Sequence, residues 1–231
     1  DVVRVGGPGQ QTSVFMRGAN SNQTVIMIDG VRINPGTIGV AAIQNVAPSL
    51  VDHVEIVRGP RSSIYGSDAI GGVINIVTID PATTGADIAG QFSRYDTRGI
   101  TFDAHYGDGQ NTALAAVNWL QSAGYPSEVG DTVNRGYRNV SFTLSGHSKV
   151  GSLALAAHAW RASGDVQYST LDYSNFPAFA GVLPADQHYV TAMTSAEASL
   201  PLTDSLHSRL IAAQIIDDIR QTIGSSDYET T

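Results

Sequence analysis

The residues of this chain that could do chemistry are mostly arginines, amides and carboxylates set among glycines. From 54 to 78 it reads VEIVRGPRSSIYGSDAIGGVINIVT, with Arg58, Arg61 and Asp68 interleaved between Gly59-Pro60, Gly66-Ser67 and Gly71-Gly72. The apolar runs at its two ends have the β-branched bias of strands, so the stretch reads as strand, tight polar connection, strand. Glycine permits close backbone approach there, and Pro60 fixes one corner. Two further polar loops, Gly6-Gly7-Pro8-Gly9-Gln10-Gln11-Thr12-Ser13 and Asn34-Pro35-Gly36-Thr37-Ile38-Gly39, carry small and amide side chains. These offer donors and acceptors without imposing charge, which suits a large neutral polar ligand. A ferric siderophore or haem site more often recruits arginine, tyrosine or histidine. Ordinary turns are the plainer reading of both loops. The first is no phosphate loop, because it lacks GxGxxG spacing, a following helix and any lysine.

No catalytic constellation is present: there is no G-x-S-x-G elbow, no H-E-x-x-H and no Walker sequence. His105, His147, His158 and His207 fall within strand-like runs, too far apart for a local metal pair, and read as lumen or interface residues. The absence of cysteine removes disulfides, zinc-thiolate sites and thiol nucleophiles. Asp165, Asp172 and Asp186 share a polar stretch, 163–189, without EF-hand spacing, and read first as solvated loop carboxylates. A net charge of −8 leaves no electrostatic footprint for nucleic acid.

Two unlike regions must position these residues. Over 1–80, the runs 14–18 and 25–30 read as strands, Asp29-Gly30 as a hairpin turn, and 41–50 as one short helix interrupted by Pro48. Over 81–231 the pattern changes to period two. Ala86, Ile88, Gly90 and Phe92 oppose Asp87, Ala89, Gln91 and Ser93. Ile100 and Phe102 oppose Thr101 and Asp103, and Val140, Phe142 and Leu144 oppose Asn139, Ser141 and Thr143. Alternation sustained over about ten residues is what a tilted membrane-spanning strand requires. Trp119, Trp160, Tyr95 and Tyr106 lie near run ends, where interfacial aromatics belong. Short connections at 107–110, 148–151 and 201–204 alternate with long ones at 122–137 and 163–189, the arrangement of an outer-membrane barrel. Only 15% of residues are charged, against roughly 25% in soluble domains.

The run Arg58-Gly-Pro-Arg-Ser-Ser-Ile-Tyr-Gly-Ser-Asp-Ala-Ile-Gly-Gly-Val-Ile-Asn-Ile resembles the end of the plug domain of TonB-dependent outer-membrane transporters. Phe15-Met16-Arg17-Gly18 and Ile28-Asp29-Gly30-Val31 are similar to earlier plug signatures, in the right order. The cobalamin branch is the most similar. The fold this resemblance implies is all-β with a small α+β plug: 1–80 the later half of a plug, 81–231 about seven strands of a transmembrane antiparallel β-barrel that needs about 22. It implies active transport rather than catalysis, in the Gram-negative outer membrane, with TonB and membrane lipid as partners. Cobalamin is the expected substrate; a ferric siderophore or haem receptor, or a protein-binding receptor or adhesin, are the alternatives. Gln10, Gln11, Thr12, Ser13, Ile38 and Gly39 become the substrate contacts. Arg17, Glu55, Arg58 and Arg61 become the ion pairs docking plug to barrel wall, and Asp165, Asp172 and Asp186 a calcium site, with no other cofactor.

Overall fold

The computed structural model describes residues 1–36, 39–126, 132–172, 181–203 and 205–230. The first eighty residues form a globule built on two small sheets. β1 (Val2–Arg4) pairs antiparallel with β2 (Thr12–Val14). The second sheet takes in β3 (Thr24–Ile28), β4 (Val31–Arg32), β5 (Val51–Arg58) and β6 (Gly72–Thr78), in the order β4-β3-β6-β5 with β3 and β6 parallel. β3 and β4 turn on Asp29 and Gly30, whose φ values of 49° and 80° are the left-handed pair a two-residue hairpin demands. Asp29 also accepts from the Thr78 amide and hydroxyl, both at 2.8 Å, and so ties the hairpin to the end of β6. The connection between β5 and β6 carries one turn of helix, α1 (Ser62–Tyr65), closed by Gly59 N–H donating to Gly71 O at 2.9 Å.

Two local expectations fail here. The run 14–18 is not a strand: it leaves β2 at Val14, and Arg17 turns back at φ 52° so that Met16 bridges Ala19. The stretch 41–50 is not one helix but two tight 3-10 turns, Ile43–Asn45 and Pro48–Leu50, because Pro48 cannot donate to a continuous ladder.

The remainder is one sheet of eight antiparallel strands in sequence order: β7 (Gly85–Ser93), β8 (Thr97–Gly107), β9 (Thr112–Ser122), β10 (Tyr137–Val150), β11 (Leu153–Asp172), β12 (Gly181–Pro201), β13 (His207–Ile223) and β14 (Ser226–Thr230). No helix among the described residues is long and apolar enough to cross a membrane. The eighth strand, Ser-Asp-Tyr-Glu-Thr, has no apolar alternation to announce it. β11 and β12 run 20 and 21 residues, so most of the expected loop 163–189 is a tall hairpin. Asp217 and Asp218 lie within β13. Beyond a bilayer both faces of a strand meet water, so polar residues there do not end the ladder.

The alternation resolves into an outer and an inner face. Phe92, Phe102, Phe142 and Leu144 are 85%, 45%, 36% and 43% exposed, on an outward belt rather than in a closed core. Asn118, Asn139, Ser141 and Thr143 are buried on the opposite face, beneath the globule. The main core joins both parts: Ile26, Ile28, Ile33 and Ile76 of the globule pack with Tyr137, Trp160, Tyr189 and Met193 of the wall. Trp160 is therefore not an interfacial anchor; it points inward and is 3% exposed.

Candidate functional site

Where the first loop of the globule meets the tall part of the wall, a cavity of about 330 Å³ opens. Five glutamines line it, Gln10, Gln11 and Gln44 from the globule and Gln187 and Gln221 from β12 and β13, with Gln10 itself only 7% exposed. Asp217 is the one charged side chain among its described lining residues. The amides are held in fixed orientations. Gln10 Nε2 donates to Gln167 O at 2.7 Å, the Thr12 amide donates to Gln44 Oε1 at 3.3 Å, and Gln221 Nε2 donates to Gln187 Oε1 at 3.1 Å. Tyr168 donates its hydroxyl to Gln221 at 3.3 Å, and Thr191 donates to Asp217 at 3.0 Å. Such a surface can accept and donate hydrogen bonds with little net charge.

A wider depression of about 900 Å³ adjoins it, sharing Gln187 and Gln221. Both of its arginines pair with carboxylates in a row across the strands. Arg138 pairs with Asp165, His188 Nδ1 lies 2.8 Å from the same carboxylate, and Arg220 Nε lies 3.1 Å from Glu229.

The structure brings together part of the expected substrate set. Gln10 and Gln11 line the cavity, whereas Thr12, Ser13 and Gly39 do not. Thr12 and Ser13 are engaged in the pairing of β2 with β1. Ile38 lies outside the described residues. Asn34 shapes the second loop instead, its amide donating to Thr24 O at 3.1 Å and Gly39 O at 2.8 Å.

The expected calcium ligands do not converge. Asp165 is occupied by Arg138 and His188, and Asp186 accepts from Gln167 Nε2 at 3.1 Å. Asp172 ends β11, seven residues beyond Asp165, a separation of about 23 Å along a strand. The triad of possible metal ligands among the described residues is elsewhere, at Asp87, Asp103 and His105 on β7 and β8, and there His105 Nδ1 is already bonded to Asp103 at 2.8 Å.

Nor do the expected docking charges meet the described wall. Glu55 accepts from Asn75 at 2.9 Å within its own sheet, and Arg17, Arg58 and Arg61 make no ion pair among the described residues. β5 is an edge strand of its sheet, and most of its side chains, Glu55 and Arg58 included, stand exposed. Docking falls to residues the chain order hid. Asn139 Nδ2 donates to Asn45 O at 3.2 Å, Tyr137 to Gln44 O at 3.4 Å, and Tyr125 to Gly6 O at 3.1 Å. Two histidines face globule carboxylates, His158 toward Asp29 at 3.4 Å and His147 toward Asp80 at 3.3 Å. Burial works to raise the Asp29 carboxyl, but the contacts from His158 and Thr78 outweigh it and hold the group below the usual carboxylate range. The only sequence signal for these contacts was their place on the polar side of the alternation.

Residues 2–73 match the family model described as the TonB-dependent Receptor Plug Domain. Over nearly the whole chain the architecture matches solved receptors. The siderophore receptor PiuA from Acinetobacter baumannii is 17% identical with a TM-score of 0.65, over 95% of this chain and 33% of that one. The fold is that of a TonB-dependent receptor. The ferric-catecholate import receptor Fiu from E. coli K12, open form, is 16% identical with a TM-score of 0.67, over 93% of this chain and 35% of that one. The FrpB iron transporter from Neisseria meningitidis is 15% identical with a TM-score of 0.67, over 96% and 36%. The chain thus spans about a third of the length of the receptors it matches. In receptor terms the globule corresponds to the plug and the eight-stranded sheet to a stretch of the β-barrel wall.

Proposed function

We propose that the protein serves TonB-dependent uptake of an iron–siderophore chelate across the outer membrane. The siderophore alternative takes precedence over cobalamin because the receptors of like fold bear the names of iron and siderophore receptors. The observation that carries the site is the glutamine-lined cavity between the first plug loop and β11–β13. Amides with a single carboxylate and no arginine favour a neutral chelate, of the hydroxamate class, over a polyanionic catecholate. Gln10 and Gln11 would touch the ligand from the plug, Gln187 and Gln221 from the wall, while Thr12, Ser13 and Gly39 shape the loops behind. A ligand seated there contacts plug and wall at once, so its binding energy differs between docked and displaced plug positions, as any ligand-driven rearrangement requires. TonB is the partner that supplies the work. The same neutral lining favours a second reading, cobalamin.

Titration of the whole receptor in detergent with a neutral ferric trihydroxamate, a ferric tris-catecholate and cobalamin separates these. The trihydroxamate should bind at least tenfold more tightly than either other ligand, and Gln10→Ala, Gln187→Ala and Gln221→Ala should each weaken it. A tenfold preference for cobalamin, or no binding of any ferric chelate, would overturn the proposal.

A further inference from the structure

His147 on β10 and His158 on β11 are eleven residues apart in sequence but diagonal neighbours across the strand pair. Their Nε2 atoms lie 3.2 Å apart, with ring centres 5.1 Å apart and planes inclined by 63°. Behind each ring stands a plug carboxylate: Asp80 Oδ2 is 3.3 Å from His147 Nδ1, and Asp29 Oδ2 is 3.4 Å from His158 Nδ1. These are charge contacts rather than hydrogen bonds, and His158 Nδ1 has no hydrogen-bond partner among the described residues, so each carboxylate stands near its ring without fixing the tautomer. The two Nε2 atoms face one another at a distance that calls for either a proton or a metal cation between them.

The geometry points to a metal ion. Two imidazole nitrogens, each about 2.0–2.1 Å from a zinc ion at a near-tetrahedral angle, stand roughly 3.3 Å apart, with ring centres about 5 Å apart. The observed 3.2 Å and 5.1 Å agree with that construction. Carboxylate, histidine and metal in series is also the usual outer support of an imidazole ligand. We propose that His147 and His158 chelate a divalent transition-metal ion of the zinc or copper class at the plug–wall seam, with Asp29 and Asp80 orienting the two rings and solvent completing the coordination. Imidazole pairs suit these ions over calcium or magnesium. Because the ligands belong to the wall and their supports to the plug, a bound ion strengthens the docked arrangement, and docking strengthens ion binding by the same factor. The inference does not depend on which chelate is transported.

Cupric ion alone, added to the whole receptor in detergent, is the probe. The wild type should take up one equivalent with the electron paramagnetic resonance pattern of two imidazole nitrogens. His147→Gln and His158→Gln should each lower the affinity at least tenfold and remove one nitrogen from the pattern. Asp80→Asn should lower affinity while keeping both nitrogens. Heat-modifiable migration of each variant checks that it is folded, and unchanged chelate binding by the histidine variants separates this site from the uptake cavity. Equal copper binding by wild type and both histidine variants would overturn the assignment, as would no specific copper uptake by the wild type.

Discussion

The ring of Tyr137, on the wall, lies against the backbone of Gly9, on the plug, so closely that a β-carbon on Gly9 would fall 2.1 Å from Cδ2. Gly9 is also left-handed, at φ 74°. One position therefore sets both the path of the first plug loop and its distance from the wall.

Gly9→Ala should accordingly loosen the plug. The left-handed backbone alone costs a non-glycine residue about 1–2 kcal/mol, and overlap with the ring adds about 1–3 kcal/mol. Gly18→Ala is the matched control, since Gly18 has φ 79° but nothing within 4 Å of its β-carbon position. Urea midpoints of the two variants, read by protease cleavage of the plug, should differ in that order. Equal midpoints would show that the Tyr137 contact is unimportant.

The outward belt predicts a cost that depends on side-chain direction. Phe142→Lys places a charge in lipid midway along β10 and should destabilise the wall by about 2–4 kcal/mol. Thr143, its neighbour on the inner face, has a buried hydroxyl with no hydrogen-bond partner among the described residues. Thr143→Val should be neutral or slightly stabilising, since it removes an unsatisfied group at nearly constant shape. Unfolding in phospholipid vesicles measures both. A harmless lysine at 142 would contradict the assigned faces.

Asn139 joins three partners beneath the plug. It accepts from Tyr189 at 2.8 Å and donates to Asn45 O at 3.2 Å and to Ser141 at 2.9 Å. Asn139→Ala leaves Asn45 O with only the longer contact from Ser141 at 3.4 Å and Tyr189 with only Tyr137 at 3.3 Å, and should cost about 1–3 kcal/mol. Hydrogen exchange at the seam, 43–50, should quicken in step. A variant with wild-type exchange there would mean that the amide is dispensable to docking.

The turn after β8 should resist acid. Asp108 accepts from the Asn111 side chain, the Asn111 and Gln110 amides and the Tyr106 hydroxyl, which hold its carboxyl far below the usual carboxylate range. With the folded pKa the lower one, its contribution is complete above about pH 4 and is lost only as pH falls through the folded value. The Gln110 and Asn111 amides should stay protected at about pH 3, where ordinary aspartates protonate. Asp108→Ala should expose them even at neutral pH. Carbon NMR showing Asp108 titrating like a free aspartate would contradict this.

The sequence by itself determined the two-part architecture, the outward belt and the hairpin at Asp29-Gly30. Each rests on short-range physics, namely period-two alternation, β-branched runs and left-handed turn residues. Gln10 and Gln11, two of the six expected substrate contacts, line the cavity beside β12 and β13. Only the tertiary structure decided which polar residues meet. Arg17, Glu55, Arg58 and Arg61 had the right charges for docking, yet none makes an ion pair with the described wall, and Glu55 and Arg58 stand exposed on an edge strand. Asp165, Asp172 and Asp186 looked like loop ligands, yet long ladders spread them along two strands. His147 and His158 looked too far apart to act together, yet strand register sets their nitrogens 3.2 Å apart. The physical reason is common to all three. Alternation tells which face a side chain takes, but pairing register and sheet order decide its neighbours, and those depend on contacts distant in the chain.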